Sequence, residues 1–193
     1  TITLSSASGA GTTKPTGLLT ITDDDATPTI SINDQTVSEG DGTVTLTESS
    51  AMCQYLAEKY GPTELGLDVS DPQYGEYLNW LYRSDPTLTF PQTLVLRYTR
   101  LEPEERRVPQ VVADYTQWYY SRLRSVEMAL EGRDYLLGDR FTVADIAVGY
   151  ALHLAETLNL SSGFKPITLA YYERLKARPA FQRSINYDPV VSM

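Results

Sequence analysis

Tyr135-Leu136-Leu137-Gly138-Asp139-Arg140-Phe141-Thr142-Val143-Ala144-Asp145-Ile146 carries the strongest local signal in this 193-residue chain. Thr142, followed three residues later by Asp145, is a helix-start pattern. The threonine oxygen can accept the Asp145 N–H while the Asp145 carboxylate reaches back to the Thr142 N–H. Two of the orphan donors at a helix N-terminus are satisfied together. Phe141 before the cap and Ile146 after it can form a hydrophobic staple. Ala147, Tyr150, Ala151, Leu154 and Leu158 then recur at helical spacing and predict one apolar face. In this setting Asp145 reads as a structural carboxylate, not as a catalytic acid.

Moving outward, Pro166 opens another helix and Arg178-Pro179-Ala180-Phe181 starts a last short one. Upstream, a long helix follows Pro109, with Val112, Tyr115, Tyr119, Val126 and Leu130 inward and Arg122, Arg124 and Glu131 outward. Gly132 marks its end. Before that, Asp71-Pro72 predicts a helix start with Asp71 as cap and a stripe of Tyr74, Tyr77, Leu78, Leu81 and Tyr82. Asp85-Pro86 and Phe90-Pro91 are expected to interrupt or kink it. Trp80, Tyr82, Phe90, Trp118 and Tyr119 read mainly as core aromatics.

A second informative stretch is Leu46-Thr47-Glu48-Ser49-Ser50-Ala51-Met52-Cys53-Gln54-Tyr55-Leu56-Ala57-Glu58-Lys59-Tyr60. A Thr-rich run leads into Glu48-Ser49, and helical periodicity begins at once, with Met52, Tyr55, Leu56 and Tyr60 on one face. Ser49 is expected to cap this helix, whose free N–H groups favour an anion. Gly61-Pro62 stops it. Cys53 sits one turn inside and reads as a small apolar residue. His153 reads as solvated or core-satisfied, with Glu156 as its only sequence-near acid.

Composition divides the chain near Glu48. Residues 1–47 hold thirteen Thr and no Phe, Tyr or Trp. Lys14 against Asp23, Asp24, Asp25, Asp34, Glu39 and Asp41 gives this part −5 of the total −9, leaving −4 downstream. Such acidity argues against a nucleic-acid partner. One Cys and one His exclude an internal disulfide and a tetrahedral zinc site built from those side chains. The single thiol fits a reducing compartment. No run approaches the roughly 18 apolar residues of a membrane helix, and Thr1 at the start is expected of a fragment.

The helical part, residues 48–186, resembles the glutathione S-transferase family. The segment Tyr135–Ile146 resembles the family's capping-box segment, Arg178-Pro179-Ala180-Phe181 its usual ending, and Glu48-Ser49 its glutathione-contacting corner. The resemblance implies a mainly α fold: residues 48–67 are the last helix of a truncated thioredoxin-like domain, and residues 68–193 are the all-α C-terminal domain. It further implies glutathione as co-substrate, a small electrophile as second substrate, a homodimer as the assembly, and a cytoplasmic location. Glu48 and Ser49 would hold the γ-glutamyl end, and Tyr82 and Ser84 would line the acceptor pocket. The family's strand–helix–strand unit, with its thiol-activating Ser, Tyr or Cys, is not recognisable before Glu48. The expected place of its cis-proline falls near Thr36, with Pro28 too far upstream. The chain as given is therefore expected to lack conjugating activity, and no catalytic residue is nominated.

Residues 1–47 are expected to be a β-rich segment. Leu18-Leu19-Thr20-Ile21-Thr22, Thr29-Ile30-Ser31-Ile32 and Thr43–Thr47 alternate at period two, with a turn at Gly40-Asp41-Gly42. Thr20–Asp25 and Pro28–Gly40 resemble incomplete Calx-β repeats, a family in which such acids contribute to calcium sites. Each repeat is only a piece here, so no metal site is assigned. Two other functions compete with the enzyme: a non-enzymatic helical association module or remnant, and a calcium-dependent adhesion fragment through residues 1–47. The family's missing unit would leave Met52, Tyr55, Leu56, Leu78 and Leu81 exposed unless strands from residues 18–47 cover them.

Overall fold

The computed structural model describes residues 46–186, together with residues 2–3, 16–17, 37–38 and 43–44. The chain divides into two units, Thr1–Thr47 with Asn186–Met193, and Glu48–Ile185. In the first, β1 (Ile2–Thr3) pairs antiparallel with β2 (Thr16–Gly17), and β3 (Val37–Ser38) with β4 (Thr43–Val44). Most of the remainder of the expected β-rich segment, residues 1–47, lies outside the described residues, including the strands expected at residues 18–22 and 29–32.

The second unit is helical. Helix α1 (Ser49–Lys59) is followed by a loop and by α2 (Tyr74–Arg83). The expected cap at Asp71 is two residues early, since Gln73 is the cap residue. The Asp71 carboxylate accepts the Gln73 N–H at 2.8 Å and the Arg140 guanidinium at 2.7 Å, so it holds a turn ahead of the helix. The expected interruptions at Pro86 and Pro91 take the form of a π-helical turn, Ser84–Thr89, leading directly into α3 (Phe90–Leu96). A proline lacks the N–H and crowds the preceding turn, and a wider turn absorbs both defects without ending the helix. A second π turn, Arg97–Leu101, closes this long rod.

Helix α4 (Pro109–Ala129) packs along α3, with Tyr119, Leu123 and Val126 buried. Helix α5 (Val143–Thr157) starts at Thr142, where the reciprocal cap is present. Phe141 stacks edge-on against Tyr135, while Ile146 stays 39% exposed. The expected single apolar face of α5 is too narrow a description. Val148, Leu152 and Ala155 are buried as fully as Ala151, because α5 packs against α1, α2, the first π turn and α6. An apolar helix surrounded on several sides is a core helix. Helices α6 (Pro166–Lys176) and α7 (Pro179–Ile185) complete the unit.

Among the expected core aromatics, Trp80 and Tyr119 are buried, but Tyr82, Phe90 and Trp118 are about half exposed. Phe90, Tyr115 and Trp118 instead stack on one another at centroid distances of 5.2–6.4 Å on the outer side of α3 and α4. The apolar face expected to be left open is mostly closed. Leu81 is fully buried and Met52, Tyr55 and Leu78 are half-buried, while Leu56 and Tyr60 remain exposed.

Candidate functional site

The N-terminus of α1 is the place where backbone chemistry and the sequence reading meet. Glu48 is the cap residue, with extended backbone (φ −95°, ψ 124°), and Ser49 is already the first helical residue. The expected Ser49 cap is thus displaced by one position. Among the described residues no side chain caps this terminus; the Glu48 carbonyl accepts the Met52 N–H at 2.9 Å. The N–H groups of the first turn therefore remain available to an anion, at the positive end of the helix dipole. Glu48 and Ser49 are both exposed, and neither side chain has a hydrogen-bond partner among the described residues.

Directly behind them stands a brace that sequence reasoning missed. Ser50, only 3% exposed, donates to Asp85 Oδ2 at 2.8 Å and lies 3.2 Å from Ser84 Oγ. Ser84 donates to the Leu81 carbonyl at 2.7 Å. Both partners belong to the π turn, so the wide turn is bolted to the first turn of α1. Thirty-five residues separate Ser50 from Asp85, and no local pattern connects them.

The nominated acceptor residues face different surroundings. Tyr82 is half exposed and its hydroxyl donates to Gln54 Oε1 of α1 at 2.8 Å. Ser84 is buried, and its hydroxyl is committed to the brace. Cys53 is half-buried beside them; burial, then the charge of Asp85, pushes its thiol up from the ordinary range, the opposite of an activated nucleophile. Burial also pushes the Tyr77 hydroxyl up to about 12, and it has no hydrogen-bond partner there.

Asp145 is fully buried and takes part in the reciprocal cap of α5. Its Oδ2 accepts the Thr142 N–H at 2.9 Å, and Oδ1 accepts the Leu136 N–H at 3.0 Å and the Tyr171 hydroxyl at 2.9 Å. Burial pushes its carboxyl up, while these donors pull the other way. His153 is also satisfied. Tyr172 donates to Glu156 Oε2 at 2.6 Å, so its oxygen accepts from His153 Nδ1 at 3.0 Å. Among the described residues no group of three His, Cys, Asp or Glu side chains could hold a metal ion. The acids at Asp23–Asp25 lie outside the described residues. No described helix is long and apolar enough to cross a membrane.

Residues 119–182 match the family described as glutathione S-transferase, C-terminal domain. A glutathione transferase from Methylococcus capsulatus is 30% identical, with a TM-score of 0.63, covering 76% of this chain and 69% of its own. A glutathione transferase from Burkholderia graminis, solved with two glutathione molecules bound per protein subunit, is 25% identical, with a TM-score of 0.65, covering 77% of this chain and 63% of its own. An uncharacterised glutathione-transferase-like protein of Streptococcus mutans is 26% identical over 149 residues, which is 73% of this chain and 55% of that protein. The chain thus spans only about half to two thirds of the length of these relatives.

Proposed function

Because this chain belongs to the glutathione S-transferase family, we propose that the N-terminus of α1 binds the γ-glutamyl end of glutathione. The observation that carries the reading is the uncapped first turn flanked by the unpartnered side chains of Glu48 and Ser49. The α-carboxylate would accept from the free N–H groups and the Ser49 hydroxyl, and the α-ammonium would meet Glu48. Ser50 and Asp85 hold this corner against the bundle, and Tyr82 is the acceptor-side contact. The family chemistry is conjugation or reduction of small electrophiles through the glutathione thiolate. Among the described residues no donor for that thiolate is recognised, and the Cys53 thiol, pushed up by burial and by Asp85, is not suited to the part. The chain by itself therefore binds glutathione without turning it over.

Titration of the 15N-labelled chain with glutathione tests this. The amides of Ser49–Ala51 should shift saturably with a Kd of roughly 1 mM, about −4 kcal/mol. Ser49→Ala or Glu48→Gln should weaken binding severalfold with melting unchanged. Shifts confined to other residues would remove the binding reading. Turnover of an aromatic electrophile above the uncatalysed rate, abolished by Ser49→Ala, would overturn the expected inactivity. The second reading, a non-enzymatic association module, draws on the exposed Leu56, Tyr60 and Tyr82 and predicts assembly without any glutathione response.

A further inference from the structure

We propose that the cleft between residues 64–67 and 135–141 is a second binding site, for a small zwitterion with an apolar body, namely a free amino acid or short peptide. The cleft measures about 630 Å³, within the roughly 300–1,000 Å³ range of small-ligand sites. Leu65, Leu67, Tyr135 and Phe141 supply apolar lining. The loop is tied to the bundle where the Leu65 carbonyl accepts the Val143 N–H at 2.9 Å. None of these residues belongs to the glutathione corner, and the inference does not depend on that reading.

The charges determine the ligand class. Arg178 lies 3.5 Å above the centroid of Phe141. A guanidinium stacked by its face keeps its N–H donors in the plane, free to take a carboxylate side-on. Arg178 has no acidic partner among the described residues. Arg140 also lines the cleft, but its charge is already met by Asp71, with N–O distances of 2.7 and 3.1 Å. Glu64 and Asp139 line the same cleft and are likewise without a partner among the described residues. A plain anion would meet these two acids, and a plain cation would meet Arg178. A ligand carrying both charges around an apolar body matches all three, its carboxylate on Arg178 and its ammonium toward Glu64 and Asp139.

The dipeptide leucyl-phenylalanine, together with its N-acetyl and C-terminal amide forms, is the probe, read by amide shifts of the labelled chain. The free dipeptide should bind saturably and shift residues 64–67 and 135–141, leaving Ser49–Ala51 unmoved. Each blocked form should bind about tenfold more weakly, equivalent to about 1.4 kcal/mol. Arg178→Gln should weaken the free and N-acetyl forms while leaving the amide form unaffected. The exposed-loop pair Glu64→Gln and Asp139→Asn should erase the preference for a free ammonium. If Arg178→Gln loses the fold, the comparison of the three peptides on the native chain decides. No saturable binding, equal binding of all three peptides, or shifts only at Ser49–Ala51 would overturn the proposal.

Discussion

Asp145 has no solvent exposure and four hydrogen-bond contacts, to two backbone N–H groups and the hydroxyls of Tyr171 and Thr142. The sequence shows the helix cap, but the structure adds Leu136 and Tyr171 to what the carboxylate satisfies. Thr142→Ala should cost about 1 kcal/mol, the worth of an N-cap. Asp145→Ala leaves several buried donors unmet and should cost about 3 kcal/mol or more. Urea unfolding of the two variants checks the order, and equal losses would show that the additional partners matter little. Asp71 supplies a pH signature. Hydrogen bonding from Arg140, then from the Gln73 N–H, lowers its carboxyl from 3.8 to about 2. A depressed folded value means the stabilisation is present above the ordinary range and is lost as pH falls from about 4 toward 2. Melting followed across that window should therefore show a shallower acid limb in Asp71→Asn. Asp145 runs the other way. Its raised carboxyl makes folding less favourable as pH rises through its folded value.

At the scale of elements, close contacts fix helix positions that periodicity leaves free. The Ser50 brace ties α1 to the π turn, and Ser50→Ala should lower stability by about 1 kcal/mol through the unmatched Asp85. Thermal melting measures it, and an unchanged midpoint would mean the brace is replaced by water. Gly163 is a sharper test. A Cβ there would stand 2.4–2.6 Å from the ring and hydroxyl of Tyr120. Tyr120 would have to leave the Leu160 carbonyl, to which it donates at 2.8 Å. Gly163→Ala should cost about 1–3 kcal/mol, and pairing it with Tyr120→Ala should cancel most of the steric part in a double-mutant cycle. Nothing within Ser161-Ser162-Gly163 itself signals this constraint, because it comes from the ring of Tyr120 in another helix.

On the scale of the whole molecule, the net charge of −9 is unevenly shared, with −5 in residues 1–47. The reading of residues 1–47 as pieces of calcium-binding repeats predicts too few oxygens for calcium, which takes about six to eight. Calorimetry with calcium should show no micromolar site; binding lost on Asp23→Asn or Asp24→Asn would establish one.

The sequence by itself determined where α4, α5, α6 and α7 begin, and its resemblance to the glutathione transferases pointed to the helical bundle. Pro109, Thr142, Pro166 and Pro179 act through neighbours within one turn, and chemistry at that range is written in consecutive residues. The Glu48-Ser49 corner was legible as a helix start for the same reason, apart from a shift of one position. Tertiary structure alone decided that α5 is buried on several faces and that Phe90 and Trp118 point outward. It also set the Asp71–Arg140 pair that delays α2, and it made Ser50 a brace and placed Arg178 over Phe141. Each of these depends on which helix packs against which, and partners 30 to 70 residues apart leave no trace in a local pattern. Burial is a property of the assembled bundle, whereas capping is a property of a single turn.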